Sequence, residues 1–390
     1  MGVYGEYLDQ PIAQNFRELT AERKKQLRAI SEVRGGRDVL VFAADLNNHS
    51  GLSSIGYVDI LPISDQLANL KGTKLDLILE TPGGLGEAAE DIVRLIRGKY
   101  DELAVIVPGW AKSAGTIMVM AADEILMGPT SALGPIDAQI TWQGKRFSAD
   151  AFLEGINKIK KEVTDTGTLN KAYIPILQGI SPGEIQSAEN ALKFAERLVT
   201  KWLAEYKFRP WTHHSSTGKK VTQEERQQRA NEIANRLCDH GYWLTHGRSI
   251  RLDDLKEMRL LVTDYTSLPA LSEAIARYYA LLQMTFSSNI YKIYETVDSQ
   301  IIKFETPAVR QQQGPVTPLA GAKSAILDLA CKRCGAAWKI QANFGKARPV
   351  EAGCQPFPPD NRFKCPNCNT EANLEDLRRK LEAQAKQPVV

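Results

Sequence analysis

The chain predicts an α/β protein built on a parallel sheet, followed by a small separate domain folded around a metal. Three observations carry that expectation. Short apolar runs alternate with helical patterns from residue 38 to residue 129, the signature of βαβ units with right-handed crossovers. After Phe147 the pattern turns mostly helical. Five of the six cysteines fall between Cys331 and Cys368, beyond a stretch rich in proline and glutamine.

Taken in order, the segment up to Val33 is polar and helix-forming, with Leu19, Leu27 and Ile30 as its apolar anchors. DVLVFAAD (38–45) reads as a buried strand, SDQLANL as a helix, LDLILE (75–80) as a second strand and GEAAEDIVRLIRGKY as an amphipathic helix. LAVIVPG (103–109) is a third strand, SAGTIMVMAAD a buried helix and EILMGP a fourth strand. SPGE (181–184) places Ser at a helix cap, Pro at the first helical position and Glu three residues after the Ser. The helix it starts carries Leu192, Ala195, Leu198, Val199, Trp202 and Tyr206 at helical spacing, a stripe that packs on the core or on a second subunit. Helical patterns resume in EERQQRANEIANRL and LPALSEAIARYYALLQM. Residues 306–324 read as a linker, and NLEDLRRKLEAQA closes the chain as a helix with Asn373 at its cap.

A chain of 390 residues has room for two or more domains. Charged residues make up 24% and the net charge is +3, which gives no electrostatic case for a nucleic-acid or membrane surface. The first residues, MGVYGEYLDQPIAQNFRELTAERKKQ, hold no apolar signal-peptide core. No apolar stretch approaches the roughly 20 residues of a membrane span. The expectation is a cytoplasmic protein without membrane contact.

Two strand-to-helix turns carry the chemistry. In LDLILETPGGLGEAAE, Gly83 and Gly84 let backbone N–H groups turn into a pocket that side chains would obstruct. The turn lacks both the G-x-G-x-x-G spacing and the Lys-Ser/Thr of a P-loop, which disfavours nucleotide binding. The next turn, in PGWAKSAGTIMVMAADEILMGPTSALGPID, delivers Ser113 at the start of a helix of small and apolar residues. Neighbouring βα turns of a parallel sheet open on one edge, so the glycines and Ser113 can share a crevice. Two readings follow. Ser113 is a helix N-cap, which spacing alone favours, or it is a nucleophile whose oxyanion rests on the N–H groups of the glycine turn and Ala114.

ETPGGLGEAAEDI, KSAGTIMVMAADEILMGPTSALGPID and LTHGRSIRLDDL together resemble the serine dehydrogenase proteinase family. That family is related to signal-peptide peptidase A and more remotely to the Clp protease subunit, all of crotonase-like fold. The likeness covers roughly residues 25–300. It implies a crotonase-like domain of ββα repeats with helical additions. It also implies Ser113 as nucleophile, Gly83, Gly84 and Ala114 as the oxyanion segment, no organic cofactor, a protein or peptide substrate and a homo-oligomer. GPTSALGPID matches the segment that helps line the site.

The general base is less legible. The Clp subunit has a histidine in the segment matching GPTSALGPID, and this chain has none from Gly51 to Thr212. Signal-peptide peptidase relatives use a lysine, which must be held neutral by burial or by neighbouring cations. Lys158 and Lys161, with Lys160 between them, are the first candidates, and Lys145 is next. Lys112 adjoins the serine, but neighbouring side chains leaving such a turn point apart. Asp137 either orients a base or accepts backbone donors in the crevice. His246 matches a family motif, although a lone distant histidine reads first as structural. His213 and His214 read as solvated, and His240 with Cys238 as core or capping residues.

CKRC (331–334) and CPNC (365–368) flank a 30-residue insert. Each C-x-x-C aims two sulfurs at one point, so Cys331, Cys334, Cys365 and Cys368 predict a closed, structural Zn²⁺ site of zinc-ribbon type. Cys354, within the insert, reads as a free thiol or an alternative ligand. A domain this small needs the metal to fold. Its basic residues, among them Lys332, Arg333, Lys339 and Arg348, suit a protein or nucleic-acid partner or a plain solvated face.

The leading expectation is a serine peptidase with a lysine base, its peptidase domain spanning 1–305 and its ribbon domain 325–390. Two rivals stand beside it. An acyl-coenzyme A enzyme would share the fold and the glycine turn, and a non-catalytic scaffold would act through its ribbon.

Overall fold

The structure, a computed structural model, describes every residue except Met1, His49, Asp137, 143–144, 306–320 and 332–335. Of 13, 14, 141, 142, 145, 146 and 330 it describes the backbone. The chain divides into two compact units, Met1–Thr306 and Pro307–Val390. The segment read as a linker lies largely outside the described residues.

The first unit opens with α1 (Val3–Leu8) and α2 (Phe16–Val33), the latter capped by the Asn15 side chain on the N–H groups of Arg17 and Glu18. The buried side of α2 holds Leu19, Leu27 and Ile30. Then come β1 (Asp38–Ala44), α3 (Ile60–Ala68), β2 (Lys74–Glu80), α4 (Gly86–Arg97) and β3 (Glu102–Val107). A two-residue strand, β4 (Trp110–Ala111), leads to α5 (Ala114–Val119), β5 (Glu124–Met127), β6 (Ala132–Leu133) and a hairpin of β7 (Gln139–Trp142) and β8 (Lys145–Ser148).

The helical stretch follows: α6 (Ala149–Thr166), α7 (Ile174–Gln178), α8 (Pro182–Trp202), α9 (Gln223–Cys238), α10 (His240–Trp243) and α11 (Leu252–Glu257). The capping box of α8 forms as its residues require, with Glu184 N–H on Ser181 Oγ and Ser181 N–H on Glu184 Oε2. Ala195, Leu198, Val199 and Trp202 of its stripe are buried in the core of this unit. β9 (Thr263–Asp264), α12 (Pro269–Phe286), β10 (Ile290–Glu295) and β11 (Gln300–Phe304) complete the unit.

Seven strands form the main sheet in the order β11-β10-β1-β2-β3-β5-β9. From β1 to β9 all pairings are parallel, while β10 and β11 add antiparallel to the edge of β1. Alternate residues serve two helical layers. Val39, Val41 and Ala43 of β1 join the cluster with α2 and α12, and Leu40 and Phe42 join that of α3, α4 and α5. At the N-terminal edge, Arg34 and Arg37 bind Asp76 and reach Glu124 and Glu102 respectively. The C-terminal edge is left to the loops. No described helix is long and apolar enough to cross a membrane.

The second unit pairs β12 (Ser324–Ala330) with β13 (Ala337–Asn343), and β14 (Cys354–Pro356) lies parallel to β13. A second hairpin, β15 (Arg362–Lys364) with β16 (Glu371–Asn373), precedes α13 (Glu375–Ala385). Asn373 ends β16 and its side chain accepts the Glu375 N–H at 2.8 Å, so it caps α13 from one residue earlier than a formal N-cap.

Candidate active site and metal centre

β2 and β3 end side by side on the edge where parallel sheets present their ligand-binding loops. Past Glu80, Thr81 bridges to Ala111: Thr81 N–H donates to Trp110 O at 2.8 Å, and Lys112 N–H to Thr81 O at 3.0 Å. The glycine turn and the serine turn therefore leave one ladder together, and they touch.

Gly83 has φ 98° and Gly84 φ 155°, both in the region that favours glycine. A Cβ on Gly83 would stand 2.7 Å from Ser113 Cβ and 2.8 Å from Lys112 O. One on Gly84 would stand 2.3 Å from Ile55 O. Ile55 grips this turn from both sides, its N–H on Gly83 O at 2.7 Å and its carbonyl accepting Leu85 N–H at 3.0 Å. The Gly83 N–H is taken up by Thr81 Oγ1 at 3.1 Å. Among the described residues no acceptor meets the N–H of Gly84, nor that of Ala114, which as the first residue of α5 has no partner within the helix. Of the two turn amides, that of Gly83 is thus taken up and that of Gly84 is left without an acceptor among the described residues.

Ser113 has φ 51° and ψ −117°, a left-handed backbone that residues with a Cβ rarely adopt. Such a residue costs on the order of 1–3 kcal/mol and is typical of functional sites. Its side chain makes no bond to the helix it precedes. The N-cap reading is therefore corrected: Ser113 holds the N-cap position of α5 but its side chain does not cap it, and its positive φ makes a strained strand-to-helix elbow. Gly115 permits the turn, since a Cβ there would lie 2.4 Å from Thr81 Cγ2.

The GPTSALGPID segment packs on this elbow. Ala132–Leu133 pairs with Trp110–Ala111, and Thr116 Oγ1 accepts Gly134 N–H at 3.0 Å while lying 2.8 Å from Ala111 O. A Cβ on Gly134 would be 2.8 Å from Lys112 Cδ and 3.3 Å from Ser113 N. Leu133 bridges to Ile250 through bonds of 2.9 and 3.0 Å, which brings LTHGRSI to the same place. His246, half-buried, thus belongs to a segment beside the elbow although 133 residues separate it from Ser113. No spacing in the sequence marks that approach.

Lys112 runs to this segment, its Nζ donating to Leu133 O at 3.1 Å, Arg248 O at 3.0 Å and Ser249 Oγ at 3.0 Å. Burial, aided by the nearby Arg251, pushes the ammonium down to about 8. Its stem meets Gly134 while the Ser113 Cβ meets Gly83, so the two side chains do part.

Lys158 and Lys161 are exposed on α6, which packs on α8. Lys158 pairs with Glu154 at 2.7 Å and its side chain is 74% exposed. Asp137 and the Lys145 side chain lie outside the described residues. His214 is not simply solvated: it bonds Glu225 at 3.1 Å and meets the Trp211 ring edge-on.

Residues 9–192 match the family described as ClpP-like SDH-type serine proteinase. That match spans a little under half of the chain. Two uncharacterized proteins of Methanocaldococcus jannaschii are similar: MJ1495 is 28% identical over 67% of this chain and 76% of its own length, and MJ0137 is 26% identical over 59% and 79%. Among solved structures, ClpP1 from Listeria monocytogenes aligns over 63% of this chain and 97% of its own at 12% identity, TM-score 0.31. A mutant of the 1510-N membrane-bound stomatin-specific protease aligns over 37% and 80% at 20% identity, TM-score 0.22. The ClpP-like SDH-type segment contains both glycines, the strained serine and the residues from Gly128 to Gly134 that line the elbow.

In the second unit Cys331, Cys365 and Cys368 gather with their sulfurs within 4.8 Å of one another. Cys368 Sγ lies 3.5 Å from Cys331 Sγ and 3.4 Å from Cys365 Sγ. The edge of a tetrahedron with Zn–S of about 2.3 Å is about 3.8 Å, so the three thiols fit a zinc ion. Two hairpin ends supply them, the Cys331 N–H closing on Ala336 O and the Cys365 N–H on Thr370 O. Cys334 lies outside the described residues. Cys354 sits on β14 opposite Lys339 and is not in the cluster, so the alternative-ligand reading has no support among the described residues.

Proposed function

We propose that the chain is a serine peptidase that cleaves peptide bonds in protein substrates through an acyl-enzyme on Ser113. The observation that carries this reading is the strained, uncapped Ser113 beside the unused N–H groups of Gly84 and Ala114. Ser113 Oγ attacks the peptide carbonyl carbon and its proton passes to a lysine. The two N–H groups hold the oxyanion, which is where such sites gain most of their rate. The C–N bond then breaks, the amine leaves with the proton, and water hydrolyses the ester to free the serine. Zinc, held by Cys331, Cys365 and Cys368 with Cys334, stabilises the ribbon that binds substrate or a partner.

Assembly into a homo-oligomer is part of this reading. Tyr57, Val58 and Leu61 stand 57, 74 and 78% exposed just after the Ile55 clamp, an apolar group that a second copy would cover. Light scattering on the purified chain measures that directly, and a monomer at micromolar concentration removes this part.

A fluorophosphonate probe tests the chemistry. Ser113→Ala and wild type are treated in parallel and read by intact mass. A single adduct on wild type alone is expected, and equal labelling of both, or of neither, overturns the proposal. The same assay on Lys112→Met, Lys145→Met, Lys158→Met and Lys161→Met identifies the base as the variant that folds but loses labelling.

A further inference from the structure

β10 joins the sheet antiparallel to β1 and carries two polar side chains into the apolar layer under α3. Lys292 is 1% exposed and Asp59, just ahead of α3, is 0% exposed. Lys292 Nζ donates to Asp59 Oδ1 at 2.7 Å and Oδ2 at 2.9 Å, and to Ser54 O at 2.7 Å. Tyr294 Oη donates to Asp59 Oδ1, and its ring stacks on Phe42 at 5.4 Å. Asp59 Oδ2 also accepts the Gly56 N–H at 2.8 Å. All three ammonium hydrogens and both carboxylate oxygens are thus committed.

These contacts hold the tripeptide Ser54–Ile55–Gly56 at both ends, Ser54 through its carbonyl and Gly56 through its N–H. Between them, Ile55 makes its two backbone bonds to Gly83 O and Leu85 N, on either side of Gly84. The Gly84 peptide lies flat against Ile55, with no room for a Cβ. A buried ion pair is seldom more stabilising than an apolar pair of equal volume, so bulk stability does not account for this one. Directional contacts that fix one geometry do.

We propose that Asp59, Lys292 and Tyr294 are positioning residues that set the direction of the Gly84 N–H toward the oxyanion of Ser113. This rests on the peptidase reading above. The pair acts through Ile55 and touches no reacting atom. A donor displaced by about 1 Å costs up to roughly 100-fold in rate, so a loosened clamp lowers the chemical step and leaves probe binding alone.

The test compares wild type, Tyr294→Phe, Lys292→Met and the double variant Asp59→Leu/Lys292→Met in saturation kinetics of fluorophosphonate labelling. The double variant replaces the ion pair by apolar side chains and keeps the core filled. Expected are a fall of tenfold or more, on the order set by donor misplacement, in the limiting labelling rate of both lysine variants and an unchanged half-saturation concentration. Amide exchange should rise in 54–56 and 83–85 but not in 75–80. Wild-type limiting rates in the double variant overturn the inference, as does unchanged exchange at 54–56 and 83–85. If the lysine variants fail to fold, Tyr294→Phe decides, with wild-type rate and exchange counting against. The exchange measurement needs no catalysis, so a wild type that does not label fails the peptidase reading while this inference is still judged.

Discussion

Gly83 and Ser113 touch through a position that only hydrogen can fill, since a Cβ on Gly83 would lie 2.7 Å from the Ser113 Cβ. The glycine turn and the serine elbow are therefore one object: neither can change without moving the other.

Substituting the glycines tests that unity. Gly83→Ala drives a methyl into Ser113, and Gly84→Ala drives one into the Ile55 backbone at 2.3 Å. Both also hold φ values that favour glycine. Fluorophosphonate labelling should fall on the order of 100-fold in each, through a misplaced nucleophile in Gly83→Ala and a misplaced oxyanion donor in Gly84→Ala. Gly155→Ala is the control, with open space around its Cβ on exposed α6. It should label normally and gain up to about 1 kcal/mol in urea unfolding.

Thr81 offers a subtler probe. Its hydroxyl is the acceptor for the buried Gly83 N–H at 3.1 Å, and its methyl packs where Gly115 has no Cβ. Thr81→Val keeps the shape and orphans the amide, which should cost about 1–3 kcal/mol in chemical denaturation. Thr81→Ser keeps the acceptor and should restore most labelling if Thr81→Val has lost it.

Glu80 lies fully buried at the foot of both turns, accepting Trp110 N–H at 2.9 Å and Tyr279 O–H at 3.1 Å. Burial pushes its carboxyl up to about 8 against those two donors and the Gly109 N–H. Between the ordinary carboxylate range and pH 8 the folded state therefore holds a proton that the unfolded chain has lost. Stability should fall as pH rises through that window, by up to about 1.4 kcal/mol per pH unit, and level off above it. Glu80→Gln carries no such proton. Urea midpoints from pH 5 to pH 9 should show the variant gaining on wild type with rising pH. A constant difference would show that Glu80 titrates normally.

The second unit should depend on its metal. Among the described residues its buried apolar core is one small cluster around Ile340, Phe344, Phe357 and Leu381, and domains of this size commonly need a staple. Native mass spectrometry should find one zinc per chain, lost in Cys331→Ser, Cys365→Ser and Cys368→Ser. Chelation should open residues 325–390 to proteolysis while a fragment near residues 1–306 survives. Resistance of both units after zinc removal would count against a folding role for the metal.

The elements of the first half were legible because their cause is local. β1, β2, β3 and β5 are buried on both faces and read as continuous apolar runs, and Ser181-Pro182-Gly183-Glu184 writes its own cap within four residues. Gly83, Gly84 and Ser113 stood out for the same reason, as turn residues between a strand and a helix. β10 and β11 escaped notice. IYKIYE mixes a lysine and a glutamate among its apolar residues, and it reads as strand only once Asp59 pairs with Lys292 and Arg23 with Glu295.

Sequence by itself determined where the chain turns, which runs are buried, which serine follows which strand and which cysteines come in pairs. Each of these depends on backbone freedom or apolar period over a few neighbouring residues. Tertiary structure alone decided that Ser113 is strained rather than capping, that among the described residues an acceptor meets the N–H of Gly83 and not that of Gly84, and that Lys112 reaches Arg248 and Ser249. It also decided that Lys292 reaches the glycine turn through Ile55. Those facts depend on pairings between segments that are distant along the chain, whose partners are chosen only when the sheet closes.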